Sequence, residues 1–145
     1  YSLGNYYSWA AAIADTTAYT YTNVATSSIC PAGWRLPYGG SGTSGADIGN
    51  TNGGFYYLGD KIGGTSDSAD SSKAWRTFPN NFIYSGYWNE SSARNRSYYS
   101  FYWSSTASNN RYAYDLYFYS GGVSPGTNTK GKYYGYSVRC VAPVE

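Results

Sequence analysis

The sequence has 145 residues and a net charge of +2, and only 12% of its residues are charged. This length predicts one domain with a substantial core. The weak and mixed charge argues against a nucleic-acid-binding protein. No apolar run is long enough to span a bilayer, so we expect no membrane insertion by this segment. The 20 tyrosines and 18 glycines, with abundant Ser, Thr and Asn, are typical of an extracellular protein surface.

Two short helices are expected in the first half of the chain. Residues 6–14 are rich in alanine, which favours helix. Residues 53–62 place Phe55, Leu58 and Ile62 on one helical stripe. Around them we expect the following: an extended loop or edge strand over 20–28, a strand fragment and turn over 29–37, and loops over 38–52 and 63–72.

The second half predicts strands. Phe82-Ile83-Tyr84 marks a strand within residues 77–88, and residues 89–97 are polar and loop-like. From Tyr98 to Val141 the chain alternates in the way that short strands do. The expected strands cover residues 98–103, 112–120 and 132–142.

Alternation also predicts which side chains face the core. One face of residues 112–120 carries Tyr112, Tyr114, Leu116 and Phe118, which we expect to point inward. The other face carries Ala113, Asp115, Tyr117 and Tyr119, which we expect to meet water or a ligand. In the preceding strand Tyr99, Phe101 and Trp103 share one face and Tyr98, Ser100 and Tyr102 the other. Trp34 and Trp103 are both expected in the core.

The chain has two cysteines, Cys30 and Cys140. They either pair as a disulfide or remain as two buried free thiols. The secreted type of composition and the strand-like context of both residues favour the disulfide.

Composition also bears on catalysis and metal binding. The chain has no histidine, which removes Ser-His-Asp and Cys-His arrangements and the usual general base near neutral pH. Asp60, Asp67 and Asp70 lie in one Gly/Ser-rich loop that could offer oxygen ligands to calcium, but their spacing does not match an EF-hand. A solvated loop is the better interpretation. We therefore expect no enzymatic activity, no metal and no cofactor.

Tyrosine-rich outward positions point instead to recognition. Tyrosine offers a large rigid contact area with a hydrogen-bonding tip, and paratopes combine it with Ser, Gly and Asn. An aromatic face can also stack on a sugar ring. The candidate ligand-binding residues are Tyr98, Tyr102, Asn109, Asn110, Arg111, Asp115, Tyr117 and Tyr119, with Arg94 and Arg96 in the loop before the strands.

Six segments carry a resemblance when they are taken in order. They are GNYYSWAAA, SICPAGWRLP, FPNNFIYSGYW, FYWSSTAS, AYDLYF and YYGYSVRCV. Together they resemble the Fibrobacter succinogenes major paralogous domain, a family of bacterial surface proteins. The resemblance implies an α+β, C-type-lectin-like fold with two short helices, a twisted antiparallel sheet and a Cys30–Cys140 bridge. The chain resembles, more distantly, the variable proteins of diversity-generating retroelements, which display hypervariable residues on the terminal sheet and loops of that fold.

These observations predict a single domain over residues 1–145, as the C-terminal part of a longer extracellular or cell-surface protein. The expected function is adhesion to a protein or glycan through the tyrosine-rich outer face of the terminal strands. The alternative is a structural subunit or tip domain of a surface filament or envelope, which self-assembles through its tyrosines.

Overall fold

Among the residues that the structure describes, three α-helices precede five β-strands. The computed structural model describes residues 4–42 and 47–142. The helices are α1 (Trp9–Ala12), α2 (Phe55–Ile62) and α3 (Ala69–Arg76). The strands are β1 (Tyr87–Trp88), β2 (Ala93–Arg94), β3 (Tyr99–Ala107), β4 (Tyr112–Tyr119) and β5 (Gly122–Gly131). The fold class is α+β, as expected. None of the helices in the described ranges has the length and apolar character needed to span a membrane.

The first two helices lie within the segments that the sequence predicts. Helix α1 keeps only one turn of the expected nine residues, and it begins at Ser8, whose Oγ accepts a hydrogen bond from the Ala11 N–H at 3.3 Å. Helix α2 ends at Gly63, whose φ of +70° is the left-handed conformation that stops a helix.

Helix α3 overturns the expected loop over residues 63–72. Ser68 caps it by accepting from the Ser71 N–H at 3.2 Å, and Asp70 lies in the first turn, where a negative charge favours the helix dipole. Its buried anchor is Trp75, whose indole N–H donates to the Gly64 carbonyl at 2.8 Å. The helix is therefore set by its cap and one aromatic anchor and lacks the apolar stripe that sequence patterns detect.

The main sheet is antiparallel with the order β3-β4-β5, and β1 and β2 form a separate two-stranded sheet. Strands β3 and β4 match the predicted alternation. The predicted strand at residues 82–84 is wrong, because the first strand begins at Tyr87. The predicted strand over residues 132–142 is also wrong, since this segment makes only isolated backbone bridges. Strand β5 was not predicted at all.

The core consists of two clusters on opposite faces of the main sheet. On one face, Phe55 of α2 and Trp75 of α3 pack with Tyr102, Leu116 and Phe118. The other face carries a larger cluster, whose members are Trp9, Ala12, Ile13, Ala18, Ala25, Leu36, Trp103, Ala107, Ala113 and Tyr136. Because neighbouring strand residues point to opposite faces, Tyr102 and Trp103 belong to different clusters.

Several predicted orientations need correction. Trp103, Leu116 and Phe118 are buried as expected. Tyr112, expected inward, is 46% exposed, and Trp34, expected in the core, is 50% exposed. Tyr102 and Asp115, both expected to face outward, are buried. Alternation identified the two faces of the strands correctly, but helices and loops cover parts of both faces.

The ends of the described chain are joined by backbone pairs and by the disulfide. Cys30 and Cys140 are bonded across 110 residues, which confirms the expected bridge. Beside it Arg35 and Val141 exchange two backbone hydrogen bonds of 3.0 and 2.8 Å. Tyr7 and Tyr136 do the same, at 2.8 and 3.0 Å.

Asp115 is a fully buried acid on β4. The Asn128 Nδ2 donates to its two carboxylate oxygens at 2.9 and 3.1 Å. Burial penalises the charged form and raises the Asp115 pKa to about 7, although the Asn128 hydrogen bonds and the charge of Lys130 oppose the shift. Near pH 4 to 6 this carboxyl group is therefore mostly neutral in the folded chain.

Lys132 is a fully buried base. Its Nζ donates to the carbonyls of Ala18 and Tyr21, at 2.8 and 2.9 Å, and lies 4.5 Å from the centre of the Trp9 ring. Burial lowers the Lys132 pKa to about 8. The ammonium group thus ties the turn after β5 to the loop that follows α1.

Replacing Trp103 and Trp34 should distinguish a core tryptophan from a surface one. Trp103 is fully buried, stacks on Tyr136 at 4.2 Å and donates its indole N–H to the Tyr7 carbonyl at 2.8 Å. We expect Trp103→Ala to lower the free energy of unfolding by about 3–5 kcal/mol. Trp34→Ala should change it by only about 0.5 kcal/mol. Urea denaturation measures both, and equal losses would contradict this assignment.

Asp115 should make stability depend on pH. Its pKa is raised from 3.8 to about 7, so between these values the folded chain holds a proton that the unfolded chain releases. The free energy of unfolding is therefore highest below about pH 4 and falls by on the order of 4 kcal/mol as the pH rises to 7. Asp115→Asn should remove this slope in urea denaturation between pH 3.5 and 8. The exposed Asp60→Asn is the control, and an unchanged slope in Asp115→Asn would refute the prediction.

Candidate functional site

One face of the main sheet is covered at one end and open at the other. On this face Trp103 pairs with Asp115, and further along Phe101 pairs with Tyr117 and Tyr99 with Tyr119. The Trp103 end is closed by Tyr136 and by α1 with the loop after it. Tyr99, Tyr117 and Tyr119 remain half-buried at the open end, so their rings are accessible to a ligand.

Tyr99, Tyr117 and Tyr119 form a tyrosine triangle. Their ring centres lie 5.8–5.9 Å apart, and the ring planes are within 31° of parallel. Burial raises the Tyr117 pKa to about 12, with further contributions from the neighbouring Tyr99 and Tyr119. The Tyr117 hydroxyl therefore stays protonated at physiological pH and can both donate and accept a hydrogen bond.

The tyrosine triangle borders two neighbouring hollows that share lining residues, together called the aromatic groove. The first encloses about 330 Å³ against Tyr87, Phe101 and Tyr136. The second, more open, measures about 650 Å³ and runs past Tyr119. Tyr99, Tyr117 and Asn128 line both hollows. Each volume falls within the range of ordinary small-ligand sites, about 300–1,000 Å³.

Further aromatic contacts build the floor of the first hollow. The centre of the Phe101 ring lies 4.9 Å from that of Tyr136, on which it stacks, and 5.0 Å from that of Tyr117. It lies 5.1 Å from the centre of the Tyr87 ring, in a T-shaped arrangement. Trp103 supports Tyr136 from the covered side. Because each ring is held by at least one other, the floor is fixed before any ligand arrives.

Polar groups form the remaining walls. Asn95 and Lys130 border the first hollow, and Asp67 and Ser124 border the second. Gly122 makes room for Asp67, because a β-carbon at position 122 would lie 1.7 Å from the Asp67 Oδ1. The groove therefore combines aromatic rings with amide and hydroxyl groups, and has one cation and one anion on separate hollows.

Asn128 is oriented by the buried Asp115. Its Nδ2 is used by the two carboxylate oxygens, whereas its Oδ1 has no hydrogen-bond partner among the described residues. Asp115 itself, although predicted to contact the ligand, is fully buried. It acts on the groove only through Asn128.

The other predicted binding residues are divided between several places. Tyr117 and Tyr119 line the groove, whereas Tyr102 lies on the opposite face, where its hydroxyl donates to the Ile83 carbonyl at 3.2 Å. Tyr98 is 72% exposed just before β3. Arg94 and Arg96 flank Asn95, and the Arg96 Nε donates to the Tyr6 hydroxyl at 3.1 Å.

Asn109, Asn110 and Arg111 form the exposed turn between β3 and β4. The Asn109 Oδ1 accepts from the Arg111 and Tyr112 N–H groups at 2.8 and 2.9 Å, so this side chain closes the turn. The turn lies at the end of the hairpin opposite to the tyrosine triangle. These three residues are therefore not brought together with the groove.

Several groove residues are not among those predicted from the sequence. Tyr99 and Phe101 share the alternation of Trp103, which predicts an inward position, but both are only partly buried. Asn128 and Ser124 lie on β5, which is not predicted because its Pro and Gly residues are unusual in strands. Tyr87 and Tyr136 come from segments that reach the groove through tertiary contacts, and no local sequence signal identifies them.

Within residues 4–42 and 47–142, no three His, Cys, Asp or Glu side chains lie close enough together to hold a metal ion.

Comparison with known sequences identifies a family. Residues 49–141, more than half of the chain, match the sequence profile of a domain of unknown function, DUF8237. The matched range runs from before α2 to Val141 and contains every groove residue named above. Searches of curated proteins and of solved structures gave no match. The chain therefore belongs to the family described as domain of unknown function DUF8237.

Proposed function

We propose that this chain is a non-enzymatic recognition domain that binds a protein or glycan ligand through the aromatic groove. The observation that carries this function is the tyrosine triangle, half-buried on a paired sheet and open to an adjoining groove. Tyrosines held in this way offer contact area at little entropic cost, since their rotamers are already restricted by their neighbours.

A binding role is favoured over catalysis by the position of Asp115. It is an acid whose pKa is raised to about 7, in the range of a general acid or base. However, it is fully buried and hydrogen-bonded to Asn128, so its oxygens cannot touch a ligand in the groove. The shifted pKa is thus accounted for by burial in the sheet.

We further propose a C-type-lectin-like fold and an extracellular or cell-surface location. The fold proposal is supported by the disulfide and the backbone pairs that join the two ends of the described chain. The location is supported by the same disulfide, because such bonds form and persist in oxidising compartments.

An array of purified glycans and extracellular matrix proteins tests the recognition function. We expect the labelled chain to be retained by at least one probe. The double variant Tyr99→Ala/Tyr119→Ala should weaken that binding at least about tenfold, since buried tyrosine contacts at binding sites are worth roughly 1–2 kcal/mol each.

Tyr112→Ala provides the matched control. Tyr112 lies on β4 with Tyr119 but on the opposite face, and it is 46% exposed. This variant should bind as the unchanged chain does. Equal binding by the double variant, or no retained probe, would overturn the proposed function.

The alternative of a self-assembling structural subunit is supported by exposed aromatic residues outside the groove. Phe78 is 82% exposed and Tyr98 is 72% exposed. If they form subunit contacts, sedimentation velocity should show concentration-dependent association and electron microscopy should show ordered assemblies. The variant Phe78→Ser/Tyr98→Ser should abolish both. A chain that stays monomeric at the highest soluble concentration would rule this alternative out.

A further inference from the structure

The charges around the aromatic groove select a neutral ligand. Lys130 borders the first hollow and Asp67 borders the second, whereas the three residues that line both, Tyr99, Tyr117 and Asn128, are neutral. Lys130 also lies 5.5 Å from the ring of Tyr134, an arrangement that partly satisfies its charge. One cation and one anion on separate hollows attract neither a strongly acidic nor a strongly basic partner.

The tyrosine triangle offers side chains to a ligand. Peptides that add to a sheet pair with the free N–H and C=O groups of an edge strand. The three rings instead stand on the face of the sheet, on strands β3 and β4 that pair with each other. Contacts at the triangle are therefore made by its rings and hydroxyl groups.

Side chains of this kind match the two surfaces of a sugar ring. A pyranose presents C–H groups on its faces and hydroxyl groups around its rim. The C–H groups carry slight positive charge and pack on the negative face of an aromatic ring, such as Tyr117. The rim hydroxyls find amide and hydroxyl partners in Asn95, Asn128 and Ser124.

One group at the groove has unmet hydrogen-bonding capacity within the described chain. It is the Asn128 Oδ1, because only the Nδ2 of that amide is engaged by Asp115. An amide oxygen accepts hydrogen bonds, so a ligand that carries hydroxyl donors fits this position.

From these features we propose that the aromatic groove binds a neutral oligosaccharide, with adjacent sugar units in the two hollows and Tyr117 between them. This proposal rests on the proposed recognition function and names its ligand class. Because Tyr99, Tyr117 and Asn128 line both hollows, a chain of linked sugars can contact them without a break. Binding needs no metal ion.

Native gel electrophoresis in the presence of soluble polysaccharides tests this proposal. The neutral probes are xyloglucan, galactomannan, mixed-linkage β-glucan and dextran, and the acidic probes are polygalacturonate and chondroitin sulfate. At least one neutral polysaccharide should retard the chain, equally in calcium and in EDTA. Retardation by acidic probes alone, or its loss in EDTA, would overturn the proposal.

Three variants locate the binding. Tyr117→Ala should weaken retardation by about tenfold or more, because both hollows lose their shared ring. Tyr117→Phe keeps the ring and should stay within about threefold of the unchanged chain. Tyr112→Ala, on the opposite face of β4, should have no effect. Near-ultraviolet circular dichroism checks that each variant is folded, and a folded Tyr117→Ala that is retarded normally would overturn the proposal.

Ligand length tests the two-unit arrangement. Calorimetric titration with the monosaccharide and the trisaccharide of the retained polymer should show at least about tenfold tighter binding of the trisaccharide. Equal affinity would overturn the adjacent arrangement of sugar units.

The outcomes also distinguish this proposal from the broader one. If no polysaccharide retards the chain but an array protein binds and loses affinity in Tyr99→Ala/Tyr119→Ala, the sugar proposal fails and the recognition function stands. If neither polysaccharides nor array probes bind, both proposals fail.

Discussion

The structure depends on the joining of its first and last described segments. Residues 132–142 form no strand of their own, and their bridges reach four separate parts of the chain: Tyr7, Arg35, Trp88 and Tyr102. A segment held by single bridges would separate easily, but the disulfide fixes Cys140 beside Cys30. In the chain-entropy account, a cross-link over 110 residues destabilises the unfolded state by about 5 kcal/mol. Tyr136 is thereby held against Trp103, and the larger core cluster closes.

The same packing explains why a groove exists. The tertiary cover over the Trp103 face consists of Tyr136, a four-residue α1 and the loops beside it. That cover reaches Asp115 and Trp103 but stops short of Tyr117 and Tyr119. On the other face two eight-residue helices, α2 and α3, bury Leu116 and Phe118. The open aromatic face is thus the part of the sheet that no helix of the described residues covers.

Elements with a strong local pattern could be predicted from the sequence. The alternation of β3 and β4 and the stripe of α2 gave their positions, and composition with the resemblance gave the disulfide. Helix α3 could not be predicted because its sequence, ADSSKAWR, has only one large apolar residue. Its stability comes from the Ser68 cap and from Trp75. Strand β5 could not be predicted because Gly, Pro and Asn are disfavoured in strands. Its pairing with β4 compensates for this low strand propensity.

Tertiary context decided the rest. Periodicity placed Asp115 with Tyr117 and Tyr119 on one face, which is correct, but it says nothing about what covers each part of that face. Trp34 shows the opposite case, a large aromatic residue that is expected in the core and lies at the surface. Its backbone N–H donates to the Pro31 carbonyl and closes a turn, and its side chain is half exposed. Of the groove, the sequence could therefore predict the tyrosines of β4 but not the walls contributed by Asp67, Tyr87 and Asn128.

Asp115 connects the core to the groove more closely than its burial suggests. A buried acid is unfavourable unless its oxygens are hydrogen-bonded, and the Asn128 amide meets that need. The same two bonds fix the Asn128 side chain, so its Oδ1 has one direction available to a ligand. A groove whose rings and amide are already held by the sheet loses little entropy on binding, in contrast to one built from mobile loops. The unfavourable burial of Asp115 thus contributes to a preorganised binding surface.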